Sequence, residues 1–264
     1  MARSQSKASK LMRQGRAAPV SSGDAKALFL MTTLLLPLPV LASSYEVGDA
    51  DTGKGVKFKA QVSYLRNESE ESWARPALEF GWGFAQRFEL TAGSGYGLSN
   101  VHDGDEVTGH EGLRLAMKWR FLGDLDQSFK AAIEPELILP TGSRSLRGGD
   151  DRTLLTLPLR ASKEFERTLL TGQIAWQRPL GSDETFWSVG GLAEYQAVPG
   201  LWLGAEIIHE ESNSQQGKFQ RGNVGFRWEV GENWSLFGAL GRSFSHNEDG
   251  VHTYGRLGFE VALN

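Results

Sequence analysis

From Val56 onward, apolar and polar residues alternate in about a dozen short stretches, separated by connections that are alternately long and short. Successive side chains of a β-strand point to opposite sides, so a period of two gives each strand one apolar and one polar face. In the stretch 113–121, Leu113, Leu115, Met117, Trp119 and Phe121 share one face, and Arg114, Ala116, Lys118 and Arg120 share the other. The pattern predicts twelve strands, at 56–66, 74–85, 88–98, 113–121, 129–139, 155–162, 169–177, 186–195, 201–210, 221–230, 234–244 and 252–263. Tilted segments of ~9 to 11 residues suffice to cross a bilayer.

The start of the chain decides which way the apolar faces point. Arg3, Lys7, Lys10, Arg13, Arg16 and Lys26 precede an apolar run at 27–42 that carries Pro37 and Pro39 and ends Val40-Leu41-Ala42. This reads as a secretory signal peptide with an unusually long basic region, cleaved near Ala42; the run is too short for a spanning helix. An exported chain with a dozen amphipathic strands reads as all-β, a transmembrane antiparallel up-and-down β-barrel over 56–264, with apolar faces toward lipid and polar faces toward the lumen. Residues 43–55 are then expected to form a periplasmic N-terminal lead.

Loop length sets the expected orientation. The short turns at Gln86, Asp124, Glu166, Val198 and Glu232 face the periplasm, and the longer connections, above all 99–112 and 140–151, face outward. Aromatic residues fall at strand ends: Phe84, Phe88, Trp119, Phe121, Tyr195, Trp228 and Trp234 toward the periplasm, and Tyr64, Trp73, Tyr96, Trp176 and Trp187 toward the exterior. That is where interfacial girdles belong, although β-propensity alone also favours aromatics.

Composition removes other classes. Mean hydropathy is −0.33, and a barrel escapes hydropathy plots because only alternate residues meet lipid. Without residues 1–42 the chain keeps 22 Lys and Arg against 31 Asp and Glu, which leaves no basic surplus for nucleic acid. No cysteine is present, so no disulfide framework is available.

Candidate function lies on the inward faces. The same parity puts Arg114, Lys118, Lys130, Arg160, Arg227 and Arg256 in the lumen with Glu134, Glu136, Glu194, Glu206, Glu229 and Glu260, flanked by Lys57, Lys59, Arg75, Glu79 and Glu89. A charge facing mid-membrane lipid costs ~2 to 4 kcal/mol, so the interior is where these residues belong. Two readings follow: a polar path for small solutes, or a salt-bridged interior that only holds the barrel together.

Other chemistry is weaker. His209-Glu210-Glu211-Ser212 resembles the His-x-Ser-Asn element of outer-membrane lipid hydrolases. Here, however, the serine lies three residues after the histidine, so the two side chains of a strand point apart. His102, Asp103, Asp105, Glu106 and His110 have the atoms for a divalent cation at spacings that match no calcium or zinc pattern. Gly93, Gly95 and Gly97 alternate on one face of a strand, so they make lumen space rather than a phosphate loop. The expectation is a non-enzyme with no cofactor and no metal.

The run Leu139-Pro140-Thr141-Gly142, then Gly148-Gly149-Asp150 and the amphipathic strands to His209, resembles the outer-membrane barrel family labelled as meta-pathway phenol degradation "transporter". The resemblance extends over about 80–263. It implies a Gram-negative outer-membrane location, a channel-like role for small solutes, aromatic or hydrophobic ones among them, and the membrane's lipid, lipopolysaccharide and barrel assembly machinery as partners. One departure is the C-terminus, Ala262-Leu263-Asn264, where many such barrels end in an aromatic residue; Phe259 is the candidate to take part of that role.

Overall fold

The computed structural model describes residues 45–66, 70–101, 106–124, 126–146, 151–212, 218–244 and 253–263. Its strand segments are β1 (Gly55–Arg66), β2 (Glu70–Ala85), β3 (Phe88–Ser94), β4 (Tyr96–Val101), β5 (Glu106–His110), β6 (Arg114–Leu122), β7 (Phe129–Ile133), β8 (Glu136–Ile138) and β9 (Leu154–Phe165). They continue with β10 (Thr168–Pro179), β11 (Phe186–Val198), β12 (Leu201–Ser212), β13 (Lys218–Glu229), β14 (Trp234–Ser243) and β15 (Thr253–Leu263).

Three pairs of segments are single strands interrupted midway. β2 pairs with both β3 and β4, β3 and β4 pair with β6 and β5 respectively, and β7 and β8 both lie between β6 and β9. The interruption between β7 and β8 is Glu134-Pro135, where proline cannot donate to the ladder. The result is a barrel of twelve antiparallel strands. β15 returns to β1 and pairs with it from Val56 opposite Leu263 to Arg66 opposite Thr253, so the sheet closes and keeps no edge.

Closure in this register turns the apolar faces outward. Phe58, Leu115, Met117, Ile174, Val189, Ile207, Val224, Leu240 and Leu257 are exposed, while their strand neighbours Lys59, Arg114, Arg160, Glu194, Glu206, Asn223 and Arg256 are buried. A water-soluble protein would invert this arrangement. On the outside, rings line up across β2, β3 and β6: Phe84 lies 5.8 Å from Phe88, Phe88 stacks on Trp119 at 6.1 Å, and Trp119 meets Phe121 edge-on at 5.9 Å. All four belong to the girdle expected at the periplasmic rim. Phe259 packs against Trp234 at 5.9 Å on the same outer surface.

Tight turns sit where short connections were read. Gly200 follows Pro199 at φ 81°, a left-handed conformation that glycine adopts without a side-chain clash. Glu166 holds φ 30° between β9 and β10, so that turn carries a positive φ on a side chain that disfavours it. In β2 the ladder slips by one residue, with Gln61 opposite Ala77 but Ser63 opposite Ala74. The extra residue falls at Arg75-Pro76, the local form of a bulge.

Two expectations need correction. The connection 99–112 is mostly strand: β4 and β5 pair from Tyr96 opposite His110 to Asn100 opposite Glu106, so the hairpin rises well above the girdle. Its alternation is carried by small and polar residues, Gly97 and Ser99 against Val107 and Gly109, which reads as a loop. Residues 45–54, expected as a periplasmic lead, instead run inside the barrel. The signal peptide and its cleavage site lie outside the described residues, as do the loop residues His102, Asp103 and Asp105.

Leu115→Arg should impair assembly because it places a cation in lipid, at a cost of ~2 to 4 kcal/mol near the midplane. Ala116→Ser, one residue along on the buried inner face, should assemble normally. The measurement is the folded fraction by heat-modifiable gel mobility, and equal losses from both substitutions would contradict the facing assigned here.

Candidate functional site: the barrel lumen

Eight strands give a barrel whose interior side chains fill it, and sixteen or more leave an open aqueous channel. Twelve lie between, so the wall residues alone do not dictate whether this lumen is filled. What fills it is decided by charge, because buried charges must be paired.

One half of the wall, from β2 to β9, is an ion-pair network. Arg114 Nη1 donates to Glu79 at 2.7 Å and its Nη2 meets Glu136 at 2.8 Å. Glu134 accepts from Arg160 Nη1 and lies 3.8 Å from both Arg114 and Lys118. Arg160 Nε also donates to Gln173 at 2.7 Å. Glu134 reaches these cations from the interruption before Pro135, where the chain leaves the regular ladder.

The opposite half is partly apolar. Leu192, Ile208, Ala239 and Tyr254 form a buried cluster on the inward faces of β11, β12, β14 and β15. Tyr254 lies under two guanidinium groups, Arg221 at 5.3 Å and Arg256 at 5.4 Å from its ring centre, and Lys59 Nζ sits 4.4 Å above the Phe237 ring. Each of these contacts adds cation–π attraction inside the lumen.

Residues 45–54 connect the two halves. Thr52 donates to the carbonyl of Gln86 at 2.9 Å at the β2–β3 turn, and the Gly53 amide donates to Glu89, which also holds Lys57 at 3.3 Å. Asp51 then meets Arg120 at 3.2 Å and Lys130 at 2.9 Å, while Lys118 Nζ donates to the Asp51 carbonyl at 3.1 Å and lies 3.6 Å from the Asp49 carboxylate. The Ala50 amide donates to Ser162 at 3.0 Å on β9. At the far side, the amides of Glu46 and Val47 donate to Glu206 at 3.0 and 2.9 Å, Asn223 donates to the same carboxylate, and the Glu46 carboxylate accepts from Arg221. Tyr45 and Val47 complete the apolar cluster.

Small residues make room for this crossing. A Cβ at Gly190 would lie 2.5 Å from Val47, one at Gly204 would lie 2.6 Å from the Tyr45 hydroxyl, and one at Gly83 would lie 1.9 Å from the Gly53 carbonyl. Tyr45, Val47 and Ala50 have essentially no exposed surface. Desolvation opposes the charge of Asp49, but Lys118, then Lys57, Arg227 and Arg160, outweigh it and hold its carboxyl below the ordinary carboxylate range.

A second segment reaches inward at the other mouth. Residues 140–146 fold over β4 and β5: Ser143 exchanges hydrogen bonds with the backbone of His110, its amide donating at 2.8 Å and its hydroxyl accepting at 3.0 Å. Leu146 lies over Gly97, where an added Cβ would sit 3.0 Å from its methyl carbon. Gly95 likewise leaves space for the Glu111 carboxylate, at 2.3 Å from a Cβ there.

Of the residues expected in the lumen, Arg114, Lys130, Glu134, Glu136, Arg160, Glu194, Glu206 and Arg256 are buried on inward faces, and Lys118 nearly so. Arg227 spans Glu194 at 4.0 Å and Glu229 at 3.3 Å near the β13–β14 turn, half-exposed. Lys59, Glu79 and Glu89 are buried with them. The side chain of Arg75 falls outside the described ones. Sequence reasoning missed Glu46, Asp49 and Asp51, and it left Arg120 and Arg221, cationic partners of Asp51 and Glu46, outside the site. A sequence clue exists: three carboxylates within six residues directly precede a barrel with basic inward positions. His209 lies 3.9 Å from Glu211 and its Nδ1 is 3.5 Å from the Gln220 amide nitrogen, while the side chain of Ser212 falls outside the described ones.

No protein-family profile matches the chain, and no curated protein does. Among solved structures it is similar to the COG4313 outer membrane channel from Pseudomonas putida F1, with a TM-score of 0.65 and 15% identity over 83% of this chain and 100% of that one. It is also similar to the NanC porin, with a TM-score of 0.55 at 6% identity, covering 78% of this chain and 100% of that one. The KdgM porin gives 0.53 at 14% identity, covering 78% and 99%. At such identities the likeness establishes a shared fold: the closed twelve-stranded barrel.

The network yields a stability prediction. Glu134→Gln should destabilise the barrel by about 3 to 5 kcal/mol, because it leaves buried Arg160 without its carboxylate. Adding Arg160→Gln should recover part of that loss, since Arg114 and Lys118 still face the altered position. Urea unfolding in lipid vesicles measures it; a single variant as stable as the parent would show that the pair contributes nothing.

Proposed function

We propose that this protein is a Gram-negative outer-membrane channel for small solutes, exported by a signal peptide cleaved near Ala42. The observation that carries the reading is the means by which the lumen is filled. The crossing is made by residues 45–54, a segment outside the barrel strands, attached to the wall by hydrogen bonds and ion pairs. A barrel meant only as a structural element can be filled by its own wall residues. A lumen filled by a separable segment can be emptied, and its wall then offers cations and carboxylates to a passing solute.

The inward charges read from the sequence, Arg114, Lys118, Lys130, Glu134, Glu136, Arg160, Glu194, Glu206, Arg227, Glu229, Arg256 and Glu260, are proposed as the lining of that path. The shared fold of the COG4313 channel and of the two porins supports the reading. The resemblance to the meta-pathway barrels suggests small aromatic or hydrophobic solutes, and lipid, lipopolysaccharide and the barrel assembly machinery are the expected partners. No catalytic role is proposed.

Planar-bilayer recordings of the refolded chain test this. Discrete conductance steps are expected, and replacing the two part-exposed lumen cations, Lys57→Gln with Arg227→Gln, should shift the reversal potential in a KCl gradient toward cation preference. Steps with an unmoved reversal potential would place the ion path elsewhere. A bilayer that stays silent for both proteins would leave the salt-bridged structural barrel as the better account.

A further inference from the structure

Arg120 and Lys130 converge on the Asp51 carboxylate near the periplasmic end of the lumen, and Lys118 beside them holds the carbonyl of the same residue. Arg120 and Lys130 are buried, with 1% and 6% of their surface exposed. Among the described residues, the carboxylate within 4.0 Å of either one comes from Asp51, at 3.2 Å from Arg120 and 2.9 Å from Lys130. Lys118 reaches the wall carboxylate of Glu134 at 3.8 Å, and otherwise turns to the lead, with the Asp51 carbonyl at 3.1 Å and Asp49 at 3.6 Å. Arg120 Nη2 donates to the Gln86 carbonyl at 2.7 Å, and its buried Nε has no hydrogen-bond partner.

The contrast with the rest of the wall is physical. Arg114 and Arg160 are matched by Glu79, Glu134 and Glu136, carried on barrel strands or on the Glu134-Pro135 interruption within one, so their charges stay compensated whatever the lead does. Arg120 and Lys130 are compensated by a segment that no strand pairing holds. Two buried cations without a partner are costly, so when the lead moves away another anion of the same shape is strongly favoured at that point. The Asp51 side chain ends in the acetate group, and that is the group Arg120 and Lys130 grip, with the Lys118 ammonium beside them.

We propose that Lys118, Arg120 and Lys130 form a binding site for the carboxylate of a small solute, which Asp51 occupies as an internal stand-in, so that a carboxylate-bearing solute displaces the lead by competing for it. Resting on the channel reading, this names a substrate class and a means of opening. Displacement of Asp51 removes the lead's ion pairs with Arg120 and Lys130, leaving the hydrogen bonds of Ala50, Thr52 and Gly53 and the Glu46 and Glu206 contacts on the far side to hold it. Solute arrival at the site and clearance of the lumen are then one event.

The test uses the full chain in detergent and in planar bilayers, with sodium acetate as the probe, sodium chloride at equal ionic strength as reference, and acetamide as the uncharged control. Asp51→Asn should unfold several degrees lower than the parent in chloride. Acetate should restore most of that difference, and acetamide none of it. Adding Lys130→Gln should abolish the restoration. In the parent protein, acetate should raise open probability several-fold and should speed maleimide labelling of Ala50→Cys as the lead leaves the wall, a readout that does not depend on Asp51→Asn folding. Acetate acting no better than chloride in these measurements would overturn the site, as would restoration that persists with Lys130→Gln. Acetate stabilisation and labelling in a protein that never conducts would keep the site and overturn the channel reading. Conductance without any acetate effect would do the reverse.

Discussion

Everything in this molecule follows from one constraint: its charged side chains have nowhere to go but inward, and inside they must find partners. Lipid on the outer face rejects Arg114, Arg160 and Glu134, and closure of β15 on β1 leaves no edge at which they reach water sideways. The lumen therefore holds far more ionic contact than a soluble core of the same size tolerates. Here the wall leaves room for a further segment, at Gly83, Gly190 and Gly204 among other places. The lead supplies both missing quantities at once, volume from Tyr45, Val47 and Ala50 and negative charge from Glu46, Asp49 and Asp51.

The two halves of the wall hold the lead by different means. On the side of β3, β6 and β7, the contacts are ionic and hydrogen-bonded, through Glu89, Lys118, Arg120 and Lys130. On the side of β11 to β15, Tyr45 and Val47 enter an apolar cluster with Leu192, Ile208, Ala239 and Tyr254. The first grip weakens with competing ions; the apolar part of the second, beside the buried Glu46–Arg221 pair, does not. A segment anchored in this way has one end that ions can loosen and one end that stays, which suits a stopper that moves aside rather than leaves.

How much of this was legible in the sequence depends on whether a residue obeys a period. Strand count, closure and facing were readable because Phe58, Leu115, Ile174, Val224 and Leu257 alternate with charged or small neighbours over long runs, and the parity rule placed Arg114, Glu134, Arg160 and Glu206 on the inner side. The hairpin of β4 and β5 was missed beyond Leu98 because its inward positions there are Ser99, Val107 and Gly109, which look like a loop. The apolar patch inside the lumen was missed for the opposite reason: Leu192, Ile208 and Phe237 break the assumption that inward means polar. The path of the lead was out of reach, although its three carboxylates hinted at a cationic partner surface. Residues 45–54 have no periodicity, and their position is set by partners more than a hundred residues away, such as Ser162, Glu206 and Arg221.

The central claim, that residues 45–54 cross the lumen and close it, is tested most directly by tethering them there. The chain has no cysteine, so a pair introduced as Ala50→Cys and Ser162→Cys, beside the end that Asp51 anchors, can join only with each other within one molecule. The Ala50 amide lies 3.0 Å from the Ser162 hydroxyl, so small adjustments bring the two sulfurs into bonding range. Single-channel recording should show the oxidised protein held shut and a reductant restoring the openings of the parent. Openings of equal size and frequency in the fully oxidised protein would contradict the account, because the lead would then lie across the lumen without closing it.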